Sequence, residues 1–140
     1  MPTSDLDEEW TGVLEAHLEW VDGWISPGSE SRFAGPHGRE SLVATILEHG
    51  AIEADETVKL QALGTYMGQA IVEHTGWSWC VVTDEYGSDL AVKFAEPDAC
   101  VFPTTLISKR IEAGEDVDAG ALFMGVIEAA TTAKAEVERE

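Results

Sequence analysis

Basic residues are scarce in this chain. There are 8 Lys and Arg against 27 Asp and Glu, giving a formal net charge of −19 and a pI of about 4.3. Such a field repels a phosphate backbone and an anionic bilayer surface, so nucleic-acid and membrane binding are disfavoured. Cysteine is nearly as scarce. Cys80 and Cys100 make no disulfide framework, sit in no CxxC pair, and read as two small buried hydrophobes in a reducing cytoplasm. Long apolar runs are missing too: none approaches the ~18 residues of a membrane span. The opening MPTSDLDEEW has neither a basic n-region nor an apolar h-region, so no export signal is expected.

What is present is enough to fold. The chain has 140 residues, 44% of them hydrophobic and 8% aromatic, which suits one domain over residues 1–140 and excludes a disordered polyampholyte. Leu6, Trp10, Val13, Leu14, Leu18, Val21, Trp24 and Ile25 recur at three- and four-residue steps. This predicts a first helix capped by Ser4 or Asp5 and ended by Ser26-Pro27-Gly28. Trp20 falls off that stripe and is expected to be exposed. The Ser-, Gly- and Pro-rich stretch from Ser26 to Gly38 reads as a surface loop anchored by Phe33. A second helix is expected from Arg39 to His49 with Gly50 as its cap, and a third from Asp55 to His74 with Tyr66 on its inward face. Gly64 and Gly68 share one face of that third helix. Each costs about 1 kcal/mol in a helix interior, so a close backbone approach is expected there.

The period then changes. Trp77 to Thr83 reads as a strand, Asp84-Glu85-Tyr86-Gly87-Ser88-Asp89 as a turn, and Leu90 to Phe94 as the antiparallel return. Glu96-Pro97-Asp98 turns again, and Cys100-Val101-Phe102 is a third strand stopped by Pro103. Thr104 or Thr105 caps a fourth helix ending at Gly114. A fifth starts near Asp118, and the tail 131–140 is expected to fray. The expected fold class is α+β: three N-terminal helices, a three-stranded antiparallel meander and two C-terminal helices.

From Leu63 to about Leu122 the sequence resembles a small uncharacterised bacterial family known as a domain of unknown function. The segments that carry the resemblance are Leu63-Gly64-Thr65-Tyr66-Met67-Gly68, the strand through Trp79, Asp84-Glu85-Tyr86-Gly87-Ser88-Asp89-Leu90, Phe102-Pro103 and Lys109-Arg110-Ile111-Glu112-Ala113-Gly114-Glu115. It leaves the first two helices outside. It implies a domain and no activity.

Chemistry is hard to find in the pattern. His17, His37, His49 and His74 form no HxxxH, HExxH or Cys/His cluster, so no metal is expected. His49 and His74 suit helix C-termini, and His17 an apolar helix face. The acids of residues 84–89 lack the ligand spacing of an EF-hand loop. Ser88 has no nucleophile-elbow context, and the Gly64–Gly68 segment lacks the Lys-Ser/Thr ending of a phosphate loop. No catalytic residue and no cofactor is assigned. Lys109-Arg110 is the only adjacent basic pair; it could clamp a phosphate or carboxylate, but ion pairing with Glu112, Glu115 or Asp116 is favoured. Trp77 and Trp79 share a strand face. They belong to the core if helices cover that face, and to an aromatic binding surface rimmed by acids if none does.

The candidate binding residues are therefore Asp84, Glu85, Asp89, Trp77 and Trp79. The expected function is a non-enzymatic interaction domain with a basic protein as partner, an immunity-type protein among the possibilities of that size and sign. The alternatives are a small enzyme or metal site in the acidic hairpin turn, and an acidic domain whose charge serves solubility alone.

Overall fold

The computed structural model describes residues 3–50, 52–96 and 99–139, the side chains of residues 137 and 139 excepted. Among the described residues the first element is a short strand, β1 (Thr3–Ser4). Helix α1 (Glu8–Asp22) follows, with the Asp7 side chain accepting a hydrogen bond from the Trp10 N–H at 2.9 Å. The cap thus falls on Asp7 rather than on Ser4 or Asp5, because Thr3 and Ser4 pair with Val82 and Val81 at the sheet edge. The helix also stops at Asp22, which removes Trp24 from its stripe. Trp24 is exposed, while Trp20, expected outside, packs against the core.

The loop expected up to Gly38 is shorter than that. A single 3-10 turn (Glu30–Phe33) leads into helix α2 (Gly35–Glu48), which starts four residues before Arg39 with Pro36 in its first turn. Helix α3 (Thr57–Thr75) ends on Gly76 in the left-handed conformation, whose N–H donates to the Val72 carbonyl at 2.8 Å. It is the central helix. Leu60, Leu63, Tyr66, Met67 and Ile71 are buried along it, against α1 and α2. Each such side chain contributes about 1.5–3 kcal/mol on burial.

Strands β2 (Ser78–Asp84), β3 (Gly87–Ala95) and β4 (Ala99–Val101) form the expected meander, and β1 adds a fourth strand in the order β1-β2-β3-β4, all antiparallel. The fold is α+β as expected, but among the described residues the sheet has four strands, the first of them ahead of α1. The turn after Glu96 runs through residues 97 and 98, which lie outside the described residues. Trp79 and Val81 stand opposite Val92 and Leu90 on one sheet face. Cys80 stands opposite Ala91 on the other, where a small cluster of Cys80, Val82, Ala91 and Cys100 forms.

After β4 a 3-10 turn (Pro103–Thr105) crosses α3. A Cβ at Gly64 would stand 2.5 Å from the Thr104 carbonyl oxygen, and one at Gly68 would stand 2.6 Å from both the Pro103 Cβ and the Trp79 ring. The two glycines therefore admit the close approach their spacing called for. Helix α4 (Leu106–Glu112) is short, and α5 (Ala119–Arg139) is long. Helix α5 runs on to Arg139, through the stretch expected to fray. Ala129, Ala130, Ala133 and Ala135 supply helix propensity where large apolar residues are few.

Candidate functional site

The β2–β3 register runs from Ser78 opposite Lys93 to Asp84 opposite Gly87, which leaves Glu85 and Tyr86 as a two-residue tip. Gly87 takes a φ of +129°, a conformation that side chains resist. The Asp84 carboxylate accepts the Tyr86 N–H at 2.8 Å, and Thr83 and Ser88 hydroxyls bond across the strands at 2.9 Å. These bonds fix the tip. Asp84, Glu85 and Asp89 are all exposed on it, and Tyr86 is 90% exposed between them. The structure thus brings three of the five sequence candidates together.

Trp77 and Trp79 do not join them. The Trp79 indole N–H donates to Gln69 on α3 at 2.8 Å, and the ring lies against Gly68. Trp77 packs against the main core and sets its ring 5.7 Å from that of Phe94. Both are half-buried, and both line a broad cleft of about 940 Å³ together with Thr3, Cys80 and Lys93. Each ring thus packs inward on one side and borders the cleft on the other. Tyr86 is the exposed aromatic beside the acids, and its place in the turn was the signal for it.

A polar network missed by the sequence reading joins α1, α2 and α3. The Tyr66 hydroxyl donates to Asp22 at 2.6 Å, the Arg39 guanidinium lies 4.9 Å from the Tyr66 ring centre, and Arg39 Nε donates to Glu73 at 2.9 Å. Burial first, and then the bond to Asp22, raises the Tyr66 pKa well above the usual phenol value. A cavity of about 370 Å³ opens on Asp22, Arg39 and Tyr66. With its proton held by Asp22, Tyr66 acts as a staple between helices and is poorly placed to serve as a base.

The histidines and cysteines take structural positions. His17 Nδ1 meets the buried Thr65 hydroxyl at 2.9 Å, which in turn meets the Thr104 hydroxyl at 2.9 Å. Burial lowers the His17 pKa below its ordinary value. His49 closes α2, with Nδ1 2.9 Å from the Thr45 carbonyl oxygen, and His37 and His74 pack edge-on against Phe123. The Cys80 and Cys100 sulfurs lie 3.7 Å apart, and burial with that neighbour pushes the Cys80 thiol up to about 12. Among the described residues no three His, Cys, Asp or Glu side chains are grouped to hold a metal, and no helix is long and apolar enough to cross a membrane.

No curated protein sequence is significantly similar to the chain. A crystal structure of a protein from Bacteroides thetaiotaomicron VPI-5482 superposes with a TM-score of 0.79 at 14% identity, over 92% of this chain and 48% of that one. The chain thus spans about half the length of that protein, and the likeness is one of fold. Residues 40–123 match the domain of unknown function DUF3806, from within α2 to the first turns of α5. The match takes in the hairpin and reaches further back than the resemblance from Leu63, since most of α2 lies within it. A match over more than half of the sequence makes the chain a member of the DUF3806 family.

Proposed function

We propose that this domain is a non-enzymatic interaction module that binds a basic protein through the tip of its β2–β3 hairpin, as a small immunity-type protein would. The observation that carries the reading is the exposed Tyr86 set among Asp84, Glu85 and Asp89 on a turn fixed by its own hydrogen bonds. A rigid, amphipathic aromatic loses little entropy on docking, and carboxylates around it select a cationic surface. The net charge of −19 speeds the encounter with such a partner.

A second reading has its own support. Apart from Glu40 and Glu56, every described acid is exposed, and the acids are carried by α1, the hairpin, the α4–α5 connection and α5 alike. Charge spread so widely serves solubility without a partner. The two readings part in one experiment. A basic partner isolated from the source organism is titrated at rising salt against the wild type and against a D84N/E85Q/Y86A/D89N variant. The interaction reading expects binding that weakens with salt and fails in the variant. Equal binding by both proteins, or no dependence on salt, refutes it.

A further inference from the structure

Lys109 and Arg110, the one adjacent basic pair in a chain with 27 acids, are left over by this reading. Among the described residues, none of the acids expected to neutralise them forms an ion pair with either, although Asp116 borders the same groove as Arg110. Glu112 accepts the Thr57 hydroxyl at 3.0 Å, and Glu115 meets Arg110 through its backbone N–H. Among the described residues, neither the Lys109 nor the Arg110 side chain forms an ion pair or hydrogen bond, whereas Arg39, Lys59 and Lys93 each pair with a glutamate. Both cations are exposed.

They stand over an apolar trough. Phe102, Leu106, Val126 and Ala129 line a groove of about 320 Å³ between the end of β4, α4 and α5, with Lys109 and Arg110 on it. A second groove of about 520 Å³ shares Arg110, Val126 and Ala129 and runs along α5 to Asp116 and Asp118. Phe102, an aromatic that follows an edge strand, is 37% exposed in the first groove. Arg110 thus borders both grooves, with Lys109 beside the first and Asp116 and Asp118 beside the second.

We propose that this β4–α4–α5 trough docks an amphipathic segment of a partner protein, with apolar side chains against Phe102, Leu106 and Val126 and carboxylates on Lys109 and Arg110. Charge complementarity selects this occupant. Two adjacent cations without partners favour an anionic segment, and a guanidinium binds carboxylate in a two-point fork. The open groove between β4, α4 and α5, which no acid lines, suits a chain segment better than a compact ligand. The inference is independent of the hairpin, which carries the opposite sign.

The test uses the full chain and two synthetic peptides, each with Leu and Phe in its centre, one flanked by Asp and Glu and the other by Lys. The readout is the shift of backbone amide signals in an NMR titration. The acidic peptide should move signals of residues 101–110 and 121–129, and bind the K109E/R110E variant about tenfold or more weakly. Both substitutions are at exposed positions, and an unchanged thermal melt shows that the variant is folded. A D84N/E85Q/D89N variant should bind the acidic peptide as the wild type does. The proposal is overturned if neither peptide moves those signals, if the basic peptide moves them equally, or if decanoate does so where the acidic peptide does not. It is also overturned if sedimentation shows a dimer that K109E/R110E dissociates, since the occupant is then a second copy of the chain.

Discussion

Replacing Gly64 with alanine adds one methyl group where α3 meets the backbone of the Pro103–Thr105 turn. Two effects oppose each other. Alanine in a helix interior is favoured over glycine by about 1 kcal/mol. The new Cβ, however, would stand 2.5 Å from the Thr104 carbonyl oxygen, and nearer still to that of Pro103, where ordinary contact begins at 3.4 Å. Neither carbonyl is free to give way. Pro103 is fully buried, and Thr104 is held by its hydroxyl bond to Thr65 at 2.9 Å. The turn and α3 must therefore part by roughly 1 Å, a gap that forfeits a quarter to a half of each contact it opens. Overpacking of this kind costs about 1–3 kcal/mol and occasionally more, and collision with backbone belongs at the upper end. After the propensity gain, a net loss of about 2 kcal/mol remains. For a chain of this length that lowers Tm by roughly 6–10 °C. Gly12 on α1 is the control, since a Cβ there meets nothing within 4 Å, and Gly12→Ala should raise stability by up to about 1 kcal/mol. Thermal and urea unfolding of both variants checks the pair. A Gly64→Ala protein as stable as the wild type would refute the reasoning.

Three further outcomes follow from the interior. Tyr66→Phe removes the donor to Asp22, a bond to a charged group, and should cost about 1–2 kcal/mol in urea unfolding; no loss would mean that the staple carries no weight. His17 has its pKa lowered by burial, so below about 6.5 the unfolded chain takes up the proton more readily than the folded one. Stability should therefore fall as pH drops through that value towards the folded pKa, and His17→Gln should flatten this part of the profile. The Cys80 thiol, pushed up to about 12, should react with a disulfide reagent at pH 8 far more slowly in the native protein than in guanidinium, and equal rates would contradict its burial.

Local pattern and distant contact were not equally legible. The helical period of α1, the existence of the hairpin and the tight face at Gly64 and Gly68 follow from spacing that the backbone geometry imposes within a few residues, whereas the hairpin's turn, expected over Asp84 to Asp89, narrows to Glu85 and Tyr86. Strand β1 does not, because Thr3 and Ser4 are polar and too few to show a period, and they become a strand by pairing with Val82 and Val81 far along the chain. The early start of α2 was in reach: Pro36 after Gly35 is a helix-opening signal, hidden by the density of Ser, Gly and Pro around it. The continuation of α5 past residue 131 rests on alanine propensity, which an eye for apolar stripes passes over. For the candidate site, the acids of the hairpin were read from their turn residues. The fate of Trp79 depended on α3 supplying Gln69, and that of Lys109 and Arg110 on Glu112 bonding to Thr57, neither of which spacing reveals.

The central claim is that recognition is directed by the hairpin rather than by charge at large. It is tested most directly by titrating the isotope-labelled protein with an arginine-rich peptide at low and at physiological salt, and following every backbone amide. Directed recognition predicts shifts concentrated on residues 83–90 that persist at physiological salt and vanish in Tyr86→Ala. Shifts spread over α1, residues 112–118 and α5 in proportion to their carboxylates, and erased by salt, would contradict it.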